Sequence, residues 1–222
     1  MNTEESKITD DSSLLHSRLY INQLIRFILD EKPNRDSFAA IVNTSQFESL
    51  CEISEAASLI KIGIESLLTS ENELLAKEEY NRLFVGPNML PAPLWESVYL
   101  GREHLLFEEE TLKVRECYRQ YGLSFVRENN EPDDHIVIEL EFLGYLIQKT
   151  LETTNVETKQ KLLADQQAFL DDHLFKWGLS FCEHLNNATA FELYRGAAQL
   201  LAEYIRFEMD IIPFLKEALE NE

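Results

Sequence analysis

Apolar residues recur three and four positions apart along most of this 222-residue chain, which places them on one face of an α-helix. The segment 14–33 follows this pattern and ends at a proline. Further amphipathic helices are predicted for residues 54–68, 71–83, 111–122, 158–185 and 190–219. A serine at the start of the segment 54–68 and Thr111 are candidate N-caps, and Gly122 is a candidate C-terminal glycine. Because no pair of alternating segments is joined by a hairpin turn, the sequence predicts an all-α fold.

Four of the six prolines lie between residues 87 and 132, at positions 87, 91, 93 and 132. The stretch "VGPNMLPAPLWESVY" cannot be one continuous helix, because Pro91 and Pro93 remove backbone donors and clash with the preceding turn. It is also too apolar for a linker, so it either packs on its own core or lines a groove. We therefore predict one bundle-like domain over residues 1–222. Its helical halves, about 13–128 and about 132–220, are separated by an irregular proline-rich loop.

Charge and composition narrow the class of partner. The 20 basic and 40 acidic residues give a net charge of −20, which disfavours nucleic acids and anionic membranes and favours cationic ligands. The 45% of apolar residues excludes a disordered acidic protein. Three scattered cysteines indicate a reducing compartment rather than a disulfide framework. A polar N-terminus and the lack of a long apolar run predict a cytoplasmic protein without membrane insertion.

No motif in the sequence demands catalysis. His135 and Glu139 are four residues apart, a spacing that can ligate a metal, but no further ligands complete a site. The sequence contains no glycine-rich phosphate loop and no G-x-S-x-G, and no cysteine has an evident base. We predict a protein that is not an enzyme and needs no cofactor or metal. Two alternatives remain open: a helical adaptor, or a small hydrolytic or ligand-binding helical protein that uses Asp134 and His135.

The stretch "NNEPDDHIVIELEF", residues 129–142, contains the most specific combination of residues. Pro132 suits the first turn of a helix, and Asp133 and Asp134 suit the positive end of its dipole. Helix initiation does not explain His135, whose charged form is disfavoured there. We therefore expect Pro132 and Asp133 mainly to start a helix. We expect Asp134 and His135 also to face a binding groove, whereas the structural alternative is a neutral His135 bonded to a neighbour.

Three stretches together resemble one protein family. They are "YNRLFVGP" (80–87), "LPAPLWESVY" (90–99) and "NEPDDH" (130–135), supported by "HLFKWGLSF" (173–181) and "FELYRGAAQLL" (191–201). The sequence is similar to the TorD/DmsD family of cytoplasmic chaperones for molybdenum oxidoreductases, and most similar to its dimethyl-sulfoxide-reductase branch. The resemblance covers about two thirds of the chain. Two positions depart from the family pattern, where Leu94 replaces a second proline and Tyr80 replaces a tryptophan.

The resemblance implies an all-helical chaperone without enzymatic activity. Such chaperones bind the twin-arginine signal peptide of a partner's catalytic subunit and hold back export until the molybdopterin cofactor is loaded. The implied client is an oxidoreductase of anaerobic respiration, of the dimethyl sulfoxide or trimethylamine oxide reductase type. The peptide-binding residues implied by the family signatures are Tyr80, Leu83, Phe84, Trp95, Pro132, Asp134 and His135.

Overall fold

A computed structural model describes residues 3–30, 32–67, 70–124 and 131–220. These residues form eleven α-helices and one π-helix: α1 (Thr3–Asp30), α2 (Arg35–Val42), α3 (Ser45–Ile53), α4 (Glu55–Ser66), α5 (Ser70–Tyr80), the π-helix (Asn81–Val85), α6 (Glu96–Leu100), α7 (Glu109–Gln120), α8 (Ile136–Glu152), α9 (Val156–Asp172), α10 (Leu174–Ala188) and α11 (Glu192–Glu220). No strand occurs in these ranges. The predicted all-α class is confirmed.

Tertiary contacts divide the chain into two compact units that interleave along the sequence. Unit one comprises Met1–Arg26, Trp95–Trp177 and Tyr204–Glu222, and unit two comprises Phe27–Leu94 and Gly178–Glu203. These boundaries differ from those of the predicted sequential halves, because α1, α10 and α11 each contribute residues to both units. The single domain over residues 1–222 stays a prediction.

Local capping explains where several helices begin and end. Ser54 caps α4, as predicted, because its hydroxyl accepts a hydrogen bond from the backbone N–H of Ala57 at 3.1 Å. The predicted helix 158–185 is instead two helices, α9 and α10, which are separated at His173. His173 has φ −127° and ψ −93°, which lies outside the helical region. Pro33 follows the end of α1, as the sequence predicts.

Unit one has an aromatic core to which α7, α8 and α9 contribute. The buried cluster consists of Val114, Tyr118, Phe142, Leu146, Leu162 and Phe169. A buried polar contact also ties three helices of this unit together. Arg18 of α1 pairs with Glu208 of α11 at 2.6 Å and donates to Gln166 of α9 at 2.8 Å. These partners compensate part of the cost of burying the guanidinium group.

Unit two depends on close contact between α4 and α11. A Cβ atom at Gly63 would lie 2.3 Å from the backbone nitrogen of Leu193, and one at Gly196 would lie 2.7 Å from that of Ile60. Both distances are shorter than van der Waals contact, so any larger residue would force the helices apart. The two glycines thereby permit the packing that buries Ile60 and Tyr194 in the core of this unit.

Candidate functional site

Trp95 and His135 bring two of the family signatures together in unit one. Their backbones form an isolated antiparallel bridge, and the backbone N–H of Glu96 donates to the carbonyl of Asp134 at 3.0 Å. The rings of Trp95 and His135 meet edge to face, with centroids 5.3 Å apart and planes at 80°. Both side chains are partly exposed. We call these two residues the Trp95–His135 pair.

The helix that follows this pair begins later than the sequence predicts. His135 is the N-cap of α8, and its Nδ1 accepts a hydrogen bond from the backbone N–H of Val137 at 3.2 Å. The helix therefore starts at Ile136, and the prediction that Pro132 and Asp133 start it is wrong. Extended backbone at His135, with φ −78° and ψ 134°, is typical of an N-cap residue.

His135 is neutral at physiological pH. Although its side chain keeps some solvent exposure, burial lowers the pKa of the imidazole to about 4. A neutral ring is required for Nδ1 to accept a hydrogen bond. The hydrogen bond from Val137 and the lowered pKa therefore both indicate a neutral imidazole. His135 combines helix capping with partial exposure beside Trp95.

Asp134 lies inside the protein beneath the Trp95–His135 pair. Its side chain is 0% exposed. Its Oδ2 accepts from the backbone N–H of Ser97 at 2.7 Å, and its Oδ1 accepts from the hydroxyl of Thr111 at 2.7 Å. Both oxygens thus hold the segment that contains α6 and α7. Thr111 was predicted to cap a helix, but α7 begins earlier and Thr111 donates to Asp134 instead.

Asp133 is also buried and holds a different partner. Its Oδ2 pairs with Arg115 of α7 at 2.6 Å, and its carbonyl accepts a hydrogen bond from the hydroxyl of Tyr118 at 3.0 Å. Pro132, directly before it, is buried as well. The "PDD" part of the signature is therefore a buried connector between α7 and the start of α8. Charge-assisted hydrogen bonds of this kind are short and strong.

Further acids lie buried near this connector. Glu139 of α8 accepts a hydrogen bond from the indole N–H of Trp177 at 3.2 Å. Burial, followed by repulsion from Glu96 and Asp134, raises the pKa of the Glu139 carboxyl well above its usual range. This shift favours the protonated form of the carboxyl, because a second uncompensated charge would be costly there. Nothing in the sequence pattern identified Glu96 or Glu139 as members of this network.

His173 brings a positive charge to the buried acids Glu96 and Glu139. Its Nδ1 lies 2.9 Å from Oε2 of Glu96, and its Nε2 lies 3.7 Å from the sulfur of Cys117. Burial opposes the charged imidazole, but the hydrogen bonds with Cys117 and Glu96 outweigh it and raise the pKa of His173 to about 9. The histidine belongs to the stretch "HLFKWGLSF", which supported the family resemblance. Its pairing could not be found from sequence spacing, because Glu96 is 77 residues away.

The first signature lies in unit two, where its residues Tyr80, Leu83 and Phe84 are buried. The hydroxyl of Tyr80 donates to the carbonyl of Asp30 at 3.1 Å, and its ring meets Phe84 edge to face, with centroids 5.2 Å apart. Leu83 is 0% exposed. These residues span the end of α5 and the π-helix, a helix type often found at functional sites.

A cavity of about 440 Å³ in unit two is formed where the first signature continues into the proline-rich loop. It is lined by Glu78, Asn81, Arg82, Gly86, Pro87, Asn88, Met89 and Pro91. Gly86 ends the π-helix with φ 92°, a backbone conformation that favours glycine. Met89 is 95% exposed. The lining thus combines a carboxylate from α5, a guanidinium group from the π-helix and apolar groups from the loop around one concave surface.

The structure gives no support to a metal site at His135 and Glu139. Nδ1 of His135 accepts from Val137, and Oε2 of Glu139 accepts from Trp177. No group of three or more His, Cys, Asp or Glu residues in the described ranges is arranged to hold a metal ion. In the same ranges, no helix is both long and apolar enough to span a membrane.

Comparisons with known proteins identify the family. The model of the family described as nitrate reductase delta subunit matches residues 49–183. The Tat proofreading chaperone DmsD of Salmonella paratyphi A is 32% identical over 146 residues, which cover 66% of this chain and 65% of that protein. The chaperone protein TorD of Aliivibrio salmonicida is 25% identical over 197 residues, which cover 88% of this chain and 90% of that protein.

A second TorD, from Photobacterium profundum, is 27% identical over 158 residues, which cover 71% of this chain and 73% of that protein. The chain spans slightly less than two thirds of the length of the DmsD proteins that it matches. Because relatives of both types are found, the predicted dimethyl-sulfoxide-reductase branch stays a prediction. The family itself was predicted from the signatures "YNRLFVGP", "LPAPLWESVY" and "NEPDDH", and that prediction is confirmed. The chain belongs to the nitrate reductase delta subunit family and, within it, to the TorD/DmsD chaperones.

Proposed function

We propose that this chain is a cytoplasmic chaperone that binds the twin-arginine signal peptide of a molybdenum-cofactor oxidoreductase catalytic subunit before export. Relatives named as Tat proofreading chaperones support this class of partner. We infer a client of the dimethyl sulfoxide or trimethylamine oxide reductase type. A net charge of −20 favours a ligand that carries two arginines, because oppositely charged surfaces steer association. The same charge disfavours nucleic acid as a partner.

The Trp95–His135 pair is the observation that carries this proposal. In unit one it presents two partly exposed rings on backbone that is held by a bridge and by the buried carboxylate of Asp134. The indole N–H of Trp95 is buried and has no hydrogen-bond partner within the described ranges. An unsatisfied buried donor is costly, so a small movement of the indole that let a peptide carbonyl accept from this N–H would be favourable. A fixed aromatic surface of this kind binds an apolar segment at a low entropic cost.

The other residues proposed for peptide binding are all buried, and they divide between the two units. Unit one contributes Pro132 and Asp134, which are buried and are proposed to shape the surface around the pair. Unit two contributes Tyr80, Leu83 and Phe84, which are also buried. They are proposed to position the chain segment that lines the 440 Å³ cavity, since Asn81, Arg82 and Gly86 of the same signature belong to that lining. That cavity offers the carboxylate of Glu78 for a guanidinium group.

The hydrolytic alternative is not favoured. Asp134 and His135 would have to act as acid and base on a bound substrate. The carboxylate oxygens of Asp134 are bonded to Ser97 and Thr111, and Nδ1 of His135 is bonded to Val137. Both residues therefore use these atoms to stabilise the fold rather than to bind a substrate.

Calorimetry with synthetic leader peptides tests the proposal. The leader of a client subunit should bind the full chain, and replacing both of its arginines by lysine should weaken binding at least about tenfold, a loss near 1.4 kcal/mol. Lysine keeps the charge but lacks the planar fork that pairs bidentately with a carboxylate. Equal affinity for both peptides, or no binding of either, would contradict the proposal.

A further inference from the structure

Cys117, His173 and Glu96 form a linear arrangement of three reactive groups in unit one. The sulfur of Cys117 lies 3.7 Å from Nε2 of His173, and Nδ1 on the opposite side of the ring lies 2.9 Å from Oε2 of Glu96. A thiol, an imidazole and an orienting carboxylate in this order are the components of an activated nucleophile. The sequence had offered no base for any cysteine, because His173 is 56 residues from Cys117.

The contacts of His173 with its two neighbours favour a positive charge next to the sulfur. Glu96 and His173 are 1% and 2% exposed, whereas Cys117 is partly exposed. Despite burial, which opposes it, the contacts with Cys117 and Glu96 raise the pKa of His173 to about 9. The imidazole is therefore protonated at neutral pH. A protonated histidine beside a cysteine is the setting in which thiolates become nucleophilic.

We propose that Cys117 is a modification site that reacts with small uncharged hydroperoxides. The thiolate sulfur attacks one peroxide oxygen, so that a sulfur–oxygen bond forms and the oxygen–oxygen bond breaks. The leaving oxygen takes the proton of His173 and departs as water or an alcohol. The sulfur is oxidised to a sulfenic acid and the peroxide is reduced. His173 is left neutral.

Local charge selects an uncharged oxidant. The carboxylates of Asp133 and Asp134 act electrostatically on Tyr118, the residue next to Cys117. Together with the net charge of −20, these groups disfavour anionic reagents such as glutathione disulfide. Because Cys117 is only partly exposed, a bulky electrophile is disfavoured as well. Hydrogen peroxide is small and neutral, and it meets both conditions.

Oxidation would reach the Trp95–His135 pair through His173. Glu96, the partner of His173, directly follows Trp95, and its backbone N–H is bonded to Asp134. The neutral sulfenic acid replaces the sulfur contact that helps to keep His173 protonated, and this weakens the charged pair of His173 with Glu96. We expect the segment at Trp95 to lose order and the leader to bind less tightly. This consequence rests on the proposed leader binding, whereas the reactivity of Cys117 does not.

Cys51 provides an internal control for the reactivity. It is free and partly exposed, as is Cys117, and burial raises the pKa of its thiol. The full chain is treated with hydrogen peroxide in the presence of a sulfenic-acid trap, and each cysteine is quantified by peptide mass spectrometry. We expect Cys117 to be trapped at least about tenfold faster than Cys51. The variant His173→Gln should bring Cys117 down to the rate of Cys51 and leave Cys51 unchanged.

Equal trapping rates for Cys117 and Cys51 in the protein without substitutions would overturn the proposal. An unchanged Cys117 rate in a folded His173→Gln variant would overturn it as well. If that variant unfolds, which circular dichroism detects, the comparison within the unmodified protein decides alone. A second measurement compares leader affinity before and after oxidation. A tenfold loss that Cys117→Ser abolishes supports the coupling, and an unchanged affinity refutes it. Failure of the reduced protein to bind any leader would overturn the proposed function. The trapping rates would still test whether Cys117 is unusually reactive.

Discussion

Oδ2 of Asp134 accepts a hydrogen bond from the backbone N–H of Ser97 at 2.7 Å, across 37 residues of sequence. Two family signatures that are separate in the chain are thereby joined by one buried carboxylate. Asp134 supports the tryptophan loop from beneath, whereas His135, its neighbour, caps α8 and contacts the ring of Trp95. Stability and peptide binding should therefore both depend on Asp134.

We expect Asp134→Asn to lower the free energy of unfolding by about 1.5–3 kcal/mol, because it weakens two buried hydrogen bonds to a charged group. Leader affinity should fall in parallel, since Ser97 and Thr111 lose their shared anchor. Urea denaturation and calorimetry measure the two effects. Asp172→Asn is the matched control, because Asp172 forms an exposed pair with Lys176; such pairs contribute about 0–1 kcal/mol. A stability change no larger than that of the control would contradict this role of Asp134.

Removing the cap at His135 should have a smaller effect on stability. His135→Ala deletes the acceptor for the N–H of Val137, at a cost of about 1 kcal/mol. His135→Asn restores a capping oxygen but not the ring beside Trp95. We therefore expect His135→Asn to be as stable as the unmodified protein and to bind the leader as weakly as His135→Ala. If His135→Asn binds normally, the ring has no part in recognition.

His135 should also make folding stability depend on acid pH. Folding lowers its pKa from 6.5 to about 4, so the unfolded chain binds a proton more readily than the folded protein. The stabilising contribution is present above pH 6.5 and is lost as the pH falls toward 4. The difference in unfolding free energy between the unmodified protein and His135→Asn, measured at several pH values across this window, should change in that direction. A constant difference would indicate that the imidazole titrates alike in both states.

His173 should have the opposite pH dependence. Burial works against its charge, but contacts with Cys117 and Glu96 raise its pKa from 6.5 to about 9, so the folded protein binds the proton more tightly. Its stabilising contribution is complete below pH 6.5 and is lost as the pH rises through about 9. The stability advantage of the unmodified protein over His173→Gln should therefore decrease across this range. An advantage that grows with pH would contradict the charged pair with Glu96.

Local signals in the sequence predicted much of the fold and little of the buried network. Ser54 was recognised as an N-cap because capping depends on residues three positions away, and Ala57 supplies that N–H. The start of α8 was misplaced because Pro132 and two aspartates suit a first helical turn equally well. The two aspartates bind partners on other segments instead. Asp133 pairs with Arg115, and Asp134 accepts hydrogen bonds from Ser97 and Thr111.

The pairing of His173 with Glu96 and Cys117 was missed for the same reason. Its separations of 77 and 56 residues are set by helix packing, which no periodicity reveals. Two of the family signatures nevertheless contain residues of this network, Glu96 and Asp134. Sequence resemblance could therefore name the candidate residues but could not separate the partly exposed Trp95 from the buried Asp134.

Added salt should weaken leader binding without abolishing it. Raising the salt from about 0.1 M to about 1 M shortens the screening length from about 10 Å to about 3 Å, which removes attraction between distant charges. Apolar contacts with Trp95 are not screened in this way. Calorimetry across this range should show a falling but finite affinity. Affinity that does not change with salt would refute the contribution of the acidic surface.

The most direct test of the account is the leader affinity of Trp95→Ala, measured by calorimetry together with its melting temperature. Leu112→Ala is the matched control, because Leu112 is an exposed apolar residue of α7 in the same unit. Truncating an aromatic anchor of an interface costs about 2 kcal/mol or more, so the affinity of Trp95→Ala should fall about thirtyfold at an unchanged fold, while Leu112→Ala binds normally. A folded Trp95→Ala variant that binds the leader as tightly as Leu112→Ala would contradict the assignment of the Trp95–His135 pair as the peptide-binding surface.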